Sequence, residues 1–145
     1  MESGQKPVLL LVEDNLDDIK FLRLAFSKRG LSFRVEVAHN GEQAVEYLEG
    51  RGAYQDRGRY PVPTHVILDL KLPKKSGIEV LQWMKERPNL AGIPVAIFSS
   101  SGQSGDENRA RDIGVDHYWV KPTSFKKLLE IVDVIARWMT MVRNV

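Results

Sequence analysis

The chain contains no cysteine, which excludes disulfide bonds, thiol nucleophiles and thiolate metal sites. It has no surplus of either charge. Its 21 basic and 19 acidic residues leave a net charge of +2, too small to draw the molecule to nucleic acid or to an anionic membrane. It also lacks long apolar runs: the longest near the start, residues 8–12, is too short for a signal-peptide core or a membrane span. A cytoplasmic location is therefore the expectation. No internal repeat or low-complexity tract is present. What remains is 145 residues, 43% hydrophobic and 28% charged, in the proportions of one globular domain able to bury its own core.

The pattern along the chain alternates strand and helix signals. Residues 1–6 are polar and read as a flexible tail. Residues 7–12 are an apolar run ending in Glu13 and Asp14, as expected of a central strand with acids at its tip. Asn15 or Asp14 is placed to cap the next helix, and Asp17 and Asp18 suit the positive end of its dipole. Leu16, Ile19, Leu22 and Phe26 recur at helical spacing until Gly30. Residues 33–37 read as a second strand. Asn40 then opens a helix, with Gln43 placed for a capping box and Ala44, Val45 and Leu48 facing inward.

Residues 50–63 form a long loop with Arg51, Arg57 and Arg59, either a surface excursion or a contact for a partner. After it, residues 66–68 are apolar and lead into Asp69, with Pro73 and Gly77 breaking the chain soon afterwards. Ser76 and Glu79 form another capping-box signature for a helix carrying Ile78, Leu81 and Met84 inward and ending before Pro88. Residues 93–98 are a fourth strand running into Ser99, Ser100 and Ser101. Residues 106–113 look helical but offer little apolar surface beyond Ala110 and Ile113, so this helix is expected to open more easily than its neighbours. Residues 116–120 give a fifth strand leading to Lys121 and Pro122. Thr123 or Ser124 caps the last helix, whose main apolar face is Phe125, Leu128, Leu129, Val132, Ile135 and Met139. A second stripe of Ile131, Val134, Trp138 and Met141 lies roughly 140° away and is read as a self-association surface, against the alternatives of a broad buried face or stray exposed apolars.

Five strand–helix repeats argue for a parallel sheet with helices on both faces. In that architecture the carboxyl ends of the strands share one edge, where ligands bind. Glu13, Asp14, Asp69, Ser99 and Lys121 all follow strands and are placed to converge there. Three carboxylates together repel one another and call for a divalent cation, and oxygen ligands with room for water suit Mg²⁺. A lysine supplies compact positive charge for phosphoryl oxygens, and a serine hydroxyl can donate to another. Phosphoryl transfer needs positioning and charge neutralisation above all, so Asp69 is expected to be a nucleophile that accepts a phosphoryl group.

The runs LLLVEDN, VILDLKLPKKSG, IPVAIFSSS and HYWVKP resemble the receiver domains of two-component response regulators, over residues 7–139. The resemblance implies a flavodoxin-like three-layer α/β fold with strand order 2-1-3-4-5 and a single receiver domain over residues 1–145. It implies that Asp69 takes phosphate from a phosphohistidine of a sensor histidine kinase. By the same likeness, Asp14 and Asp69 hold Mg²⁺ directly, Glu13 acts largely through water, and Lys71 lends its backbone carbonyl. Lys121 contacts the phosphoryl group, the Lys121–Pro122 bond is cis, and Ser99 and Tyr118 form the switch pair. Lys71 and Ser101 flank the phosphate position. The Glu–Asp pair replaces the frequent Asp–Asp, and Ser99 replaces the frequent threonine.

The long loop, the DLKLPKKSG run and the Trp-bearing last helix resemble the stand-alone regulators paired with bacterial phytochromes. That likeness implies a bacteriophytochrome as a candidate kinase, a homodimer, and a histidine phosphotransfer protein as a possible downstream partner. The chain ends a few residues past its last helix, so no output domain is expected. The implied role is a signalling phosphoacceptor rather than an enzyme, limited to self-phosphotransfer and slow autodephosphorylation. A phosphorylation-independent scaffold is the alternative. A phosphohydrolase is disfavoured because Lys71 stands where such enzymes usually carry a second Asp.

Overall fold

The computed structural model describes residues 6–100, 102 and 104–141. Most of the expected flexible tail, residues 1–5, and Ser101 lie outside the described residues. Five strands, β1 (Val8–Val12), β2 (Arg34–Ala38), β3 (His65–Leu68), β4 (Val95–Ser99) and β5 (His117–Val120), form one sheet in the order β2-β1-β3-β4-β5. Every pairing is parallel. The helices α1 (Leu16–Lys28), α2 (Gly41–Glu49), α3 (Gly77–Lys85), α4 (Ser104–Ile113) and α5 (Phe125–Met139) connect or follow them.

The central strands β1, β3 and β4 are buried along their whole length, which accounts for their unbroken apolar sequences. Alternation sends Leu10, Val12, Val66 and Leu68 to one face, with residues of α2, α3 and α4. Leu9, Leu11 and Ile67 go to the other, with α1 and α5. Two cores thus clamp the sheet, and all five strands end on the same edge.

Local signals set the helix ends. The Asn15 side chain accepts the Asp18 N–H at the start of α1, and Ser76 and Glu79 form the complete capping box of α3. At α2 the box is displaced: Asn40 accepts from Gln43, while the Gln43 carboxamide oxygen accepts from His39 rather than from Asn40. Within α3 the buried residues are Val80, Leu81 and Met84, and Ile78 is only half-buried. In α4, Ala110 is buried and Ile113 half-buried, as its sparse apolar sequence predicts.

Two expectations are corrected and one is refined. First, the 50–63 segment runs over the surface, as one of its two readings had it, but it is ordered. A 3-10 turn, Gly52–Tyr54, brings Tyr54 against Tyr47 and Tyr60 at ring separations of 5.0 and 5.2 Å. The Arg57 guanidinium donates to the carbonyls of Leu48 and Tyr60, so aromatic contact and charge-assisted hydrogen bonds pin the loop to α2. Second, the Lys121–Pro122 bond is trans, the form that X–Pro bonds prefer intrinsically.

Third, Trp138 does not belong to an outward stripe. It is only 2% exposed, and its Nε1 donates to Asp116 Oδ2 at 2.9 Å. Its ring meets those of His65, His117 and Trp119 edge-on, while His65 Nε2 lies 3.0 Å from its carbonyl oxygen. The aromatic edge strand β5 widens the surface that α5 covers, so the buried arc of α5 extends past its main apolar face to take in Trp138. Truncating Trp138 to Ala removes this ring and its hydrogen bond. It is expected to cost about 3–5 kcal/mol of unfolding free energy in a denaturant titration, and no loss would contradict the packing described.

Candidate phosphoacceptor and metal site

The site begins with strand lengths. Val12 pairs with Leu68, Leu68 with Ile97, and Ser99 with Val120, so each strand delivers its next residue to the same rim. The tip of β1 presents Glu13 and Asp14, β3 presents Asp69, β4 ends in Ser99 and β5 leads into Lys121. Glycine 77 keeps the rim tight. A Cβ there would lie 2.1 Å from the Asp69 carbonyl oxygen, so only glycine lets α3 start this close beneath the carboxylate.

Asp69 is buried, and both of its oxygens are engaged. Oδ1 accepts from Ser99 Oγ at 2.9 Å and from the Lys71 N–H at 3.1 Å, and Oδ2 accepts from Lys121 Nζ at 2.8 Å. These contacts replace the water that a buried carboxylate loses. The Lys121 ammonium also meets Asp18 Oδ2 at 2.7 Å and Glu13 Oε1 at 2.9 Å. Burial alone would lower the lysine pKa, but the contacts with Asp18, Asp69 and Glu13 outweigh it and raise the group above its usual range. Its charge is therefore kept across the neutral range.

Glu13 is the strained member. It is 1% exposed, and burial raises its carboxyl pKa to about 7, with the Asp69 charge adding to the rise; Lys121 and the Asn15 N–H oppose it. Its Oε2 accepts from the Asn15 N–H. Its Oε1 lies 2.9 Å from Lys121 Nζ, and this ion pair is its one polar contact among the described residues. Asp14 by contrast is exposed. Ligand atoms of Glu13, Asp14 and Asp69 all lie within 4.8 Å of one another. Three carboxylates this close, with only one lysine among the described residues to balance them, are the donor set of a hard divalent cation, so these residues fit Mg²⁺.

The structure thus brings together all five residues singled out from the sequence: Glu13, Asp14, Asp69, Ser99 and Lys121. Lys71 sits beside them through its N–H. Tyr118 is buried, with its ring in the core layer that holds Leu68 and Ile97, and pairs in register with Ile97. Sequence reasoning missed Asp18. It reads as a carboxylate favoured by the dipole of α1, and nothing in its spacing signals a lysine 103 residues away.

A model of the response regulator receiver domain matches residues 9–133. The response regulator Rcp1 of Synechocystis sp. (strain PCC 6803) is 31% identical over 142 residues, 97% of this chain and 95% of its own length. The Mn²⁺-bound crystal structure of Rcp1 superposes with a TM-score of 0.85 at 30% identity, covering 97% of this chain and 99% of that one. The phosphorylated cyanobacterial phytochrome response regulator RcpA gives 0.86 at 31% identity, covering 97% and 98%. The bacteriophytochrome response regulator AtBRR gives 0.76 at 37% identity, covering 92% and 94%.

The raised Glu13 pKa has a thermodynamic consequence. The native state holds the Glu13 proton more tightly than the unfolded chain, whose carboxyl titrates near 4.5. Its contribution to stability is complete below pH 4.5 and is lost as pH rises through about 7. In metal-free protein, Glu13→Gln is expected to overtake wild type by about 2 kcal/mol between pH 5 and pH 8. Parallel stability–pH curves for the two proteins would contradict this.

Proposed function

The chain belongs to the response regulator receiver domain family, and on that footing we propose that it accepts a phosphoryl group on Asp69 and signals through the resulting change at the rim. The single observation carrying this reading is the convergence of Ser99 Oγ and Lys121 Nζ on the two oxygens of one buried carboxylate, beside a cation-fitting acid pair. The donor is a phosphohistidine of a sensor histidine kinase. One Asp69 oxygen attacks phosphorus, the phosphorus–nitrogen bond breaks with its electron pair leaving on the imidazole, and an acyl phosphate forms. Lys121 turns from the carboxylate toward a phosphoryl oxygen, and Ser99 donates to another.

Asp14, Asp69 and the Lys71 carbonyl would hold Mg²⁺ directly, and Glu13 would act largely through water. Bound Mg²⁺ supplies positive charge against the transferred phosphoryl oxygens. The Ser99–Tyr118 pair is the switch. The hydroxyl is within reach of the new phosphoryl group and the ring is already inward, so phosphorylation biases this arrangement over one with the ring outward. The kinase partner is a bacteriophytochrome, a reading supported by the likeness to the phytochrome response regulator RcpA and to AtBRR. A histidine phosphotransfer protein is a downstream acceptor. A cytoplasmic setting accords with this role, and no helix among the described residues is long and apolar enough to cross a membrane.

With Mg²⁺ and a small acyl-phosphate donor, wild type is expected to gain one phosphoryl group by intact mass, and chelation by EDTA to abolish the gain. Asp69→Asn is expected to gain none; an undiminished gain would exclude Asp69 as the acceptor.

Self-association is proposed through the outer face of α5 without Trp138. Ile131 and Val134 are half-exposed and border a groove with Val120, which is 46% exposed, and Met141 is 61% exposed. Sedimentation should show a concentration-dependent dimer that Val134→Glu weakens at least tenfold. Identical monomer masses for both proteins would remove the interface.

A further inference from the structure

Asp18 stands outside the set that the phosphoacceptor reading uses. It nevertheless meets the Lys121 ammonium as directly as the acids of the site do, at 2.7 Å beside 2.8 Å for Asp69 and 2.9 Å for Glu13. A lysine ammonium has three protons to donate, and here three carboxylates surround it. Two of them belong to the site where reaction and cation change the local charge. Asp18 does not: it projects from the first turn of α1, its backbone fixed by the Asn15 cap, and it lies beyond the cluster of cation-fitting acids.

We propose that Asp18 is a positioning residue that anchors Lys121 throughout the phosphorylation cycle. This rests on the proposed acceptance of phosphate by Asp69. When Asp69 gains a phosphoryl group, the contact between Nζ and Asp69 Oδ2 must be exchanged for one with a phosphoryl oxygen, and a cation draws on Glu13. The bond to Asp18 is the one that neither event requires to break. It holds a long, flexible side chain with its charge over the reacting carboxylate, so little ordering remains to be done as the transition state forms. A free lysine stem at this position would spend much of its time in solvent, because the side chain has many rotamers and an ammonium is strongly hydrated.

Two opposite effects separate positioning from simple charge. As a fourth carboxylate near an incoming anion, Asp18 would slow phosphorylation, and its removal would speed it. As an anchor for Lys121 it accelerates the reaction, and its removal slows it. At 28% side-chain exposure Asp18 is partly solvated, which weakens its long-range repulsion more than its direct hydrogen bond.

The test measures phosphorylation rate with Mg²⁺ and a small acyl-phosphate donor for wild type, Asp18→Asn, Asp18→Glu, Lys121→Met and the double variant Asp18→Asn/Lys121→Met. Thermal melts verify that each is folded. Asp18→Asn is expected to slow the reaction about fivefold, and Asp18→Glu to recover most of that rate. In the Lys121→Met background Asp18→Asn is expected to have no further effect, because its action runs through that ammonium. In ¹⁵N spectra the Lys121 ammonium should give a signal protected from water exchange that Asp18→Asn abolishes, a readout needing no phosphate. An unchanged or faster Asp18→Asn, an equal slowing without Lys121, or an ammonium signal indifferent to Asp18 would overturn the proposal. If wild type phosphorylates normally while these outcomes appear, only the role of Asp18 fails. If wild type takes no phosphate, the parent reading fails with it.

Discussion

One partly buried ammonium shared among carboxylates is the constraint on which the rest of the structure depends. Glu13 and Asp69 are nearly without solvent, and Lys121 is the single cation within hydrogen-bonding reach of both among the described residues. The sheet exists to make that meeting possible, since the three residues come from the tips of β1, β3 and β5. Two apolar cores, one on each face, hold the strands in the register that brings the tips level. The compensation is incomplete: Lys121 is shared with Asp18 and Asp69, and burial still raises the Glu13 carboxyl to about 7. A rim with surplus negative charge and one committed lysine suits a divalent cation, which would change that balance.

The supporting structure divides between rigid and yielding parts. The β1, β3 and β4 strands are buried throughout, and Gly77 seats α3 directly beneath Asp69. On the other side of the site, α4 buries little of its surface, and Tyr118 sits where its layer meets the edge of the sheet. The 50–63 loop lies away from the rim and is fixed to α2 by Tyr47, Tyr54, Tyr60 and Arg57, so it extends the β2 edge as a built surface.

Much of this was legible in the sequence, for identifiable reasons. Fully buried strands leave unbroken apolar runs, and Asn15, Ser76 and Ser124 cap where cap residues are preferred. The five residues of the rim stand at or just past the ends of strands, so the parallel sheet alone predicts that they meet. Trp138 was misread because helical periodicity counts stripes without knowing how wide a surface the helix covers; His117 and Trp119 on the edge strand extend that surface. Asp18 was invisible for a different reason. Its local role at a helix start is sufficient to explain it, and only the folded chain shows that the first turn of α1 overhangs Lys121. The order imposed on the 50–63 loop depends on three tyrosines whose rings meet only once α2 and β3 are placed.

The central claim is that the Asp69 carboxylate is the atom group that becomes phosphorylated. Borohydride reduces an acyl phosphate of aspartate to homoserine, so reduction after exposure to a phosphohistidine kinase, followed by fragment mass analysis, locates the acceptor. The account predicts homoserine at position 69 and nowhere else. Homoserine at position 14 or 18 with Asp69 intact, or none at all from a kinase that has lost its phosphate to this chain, would contradict it.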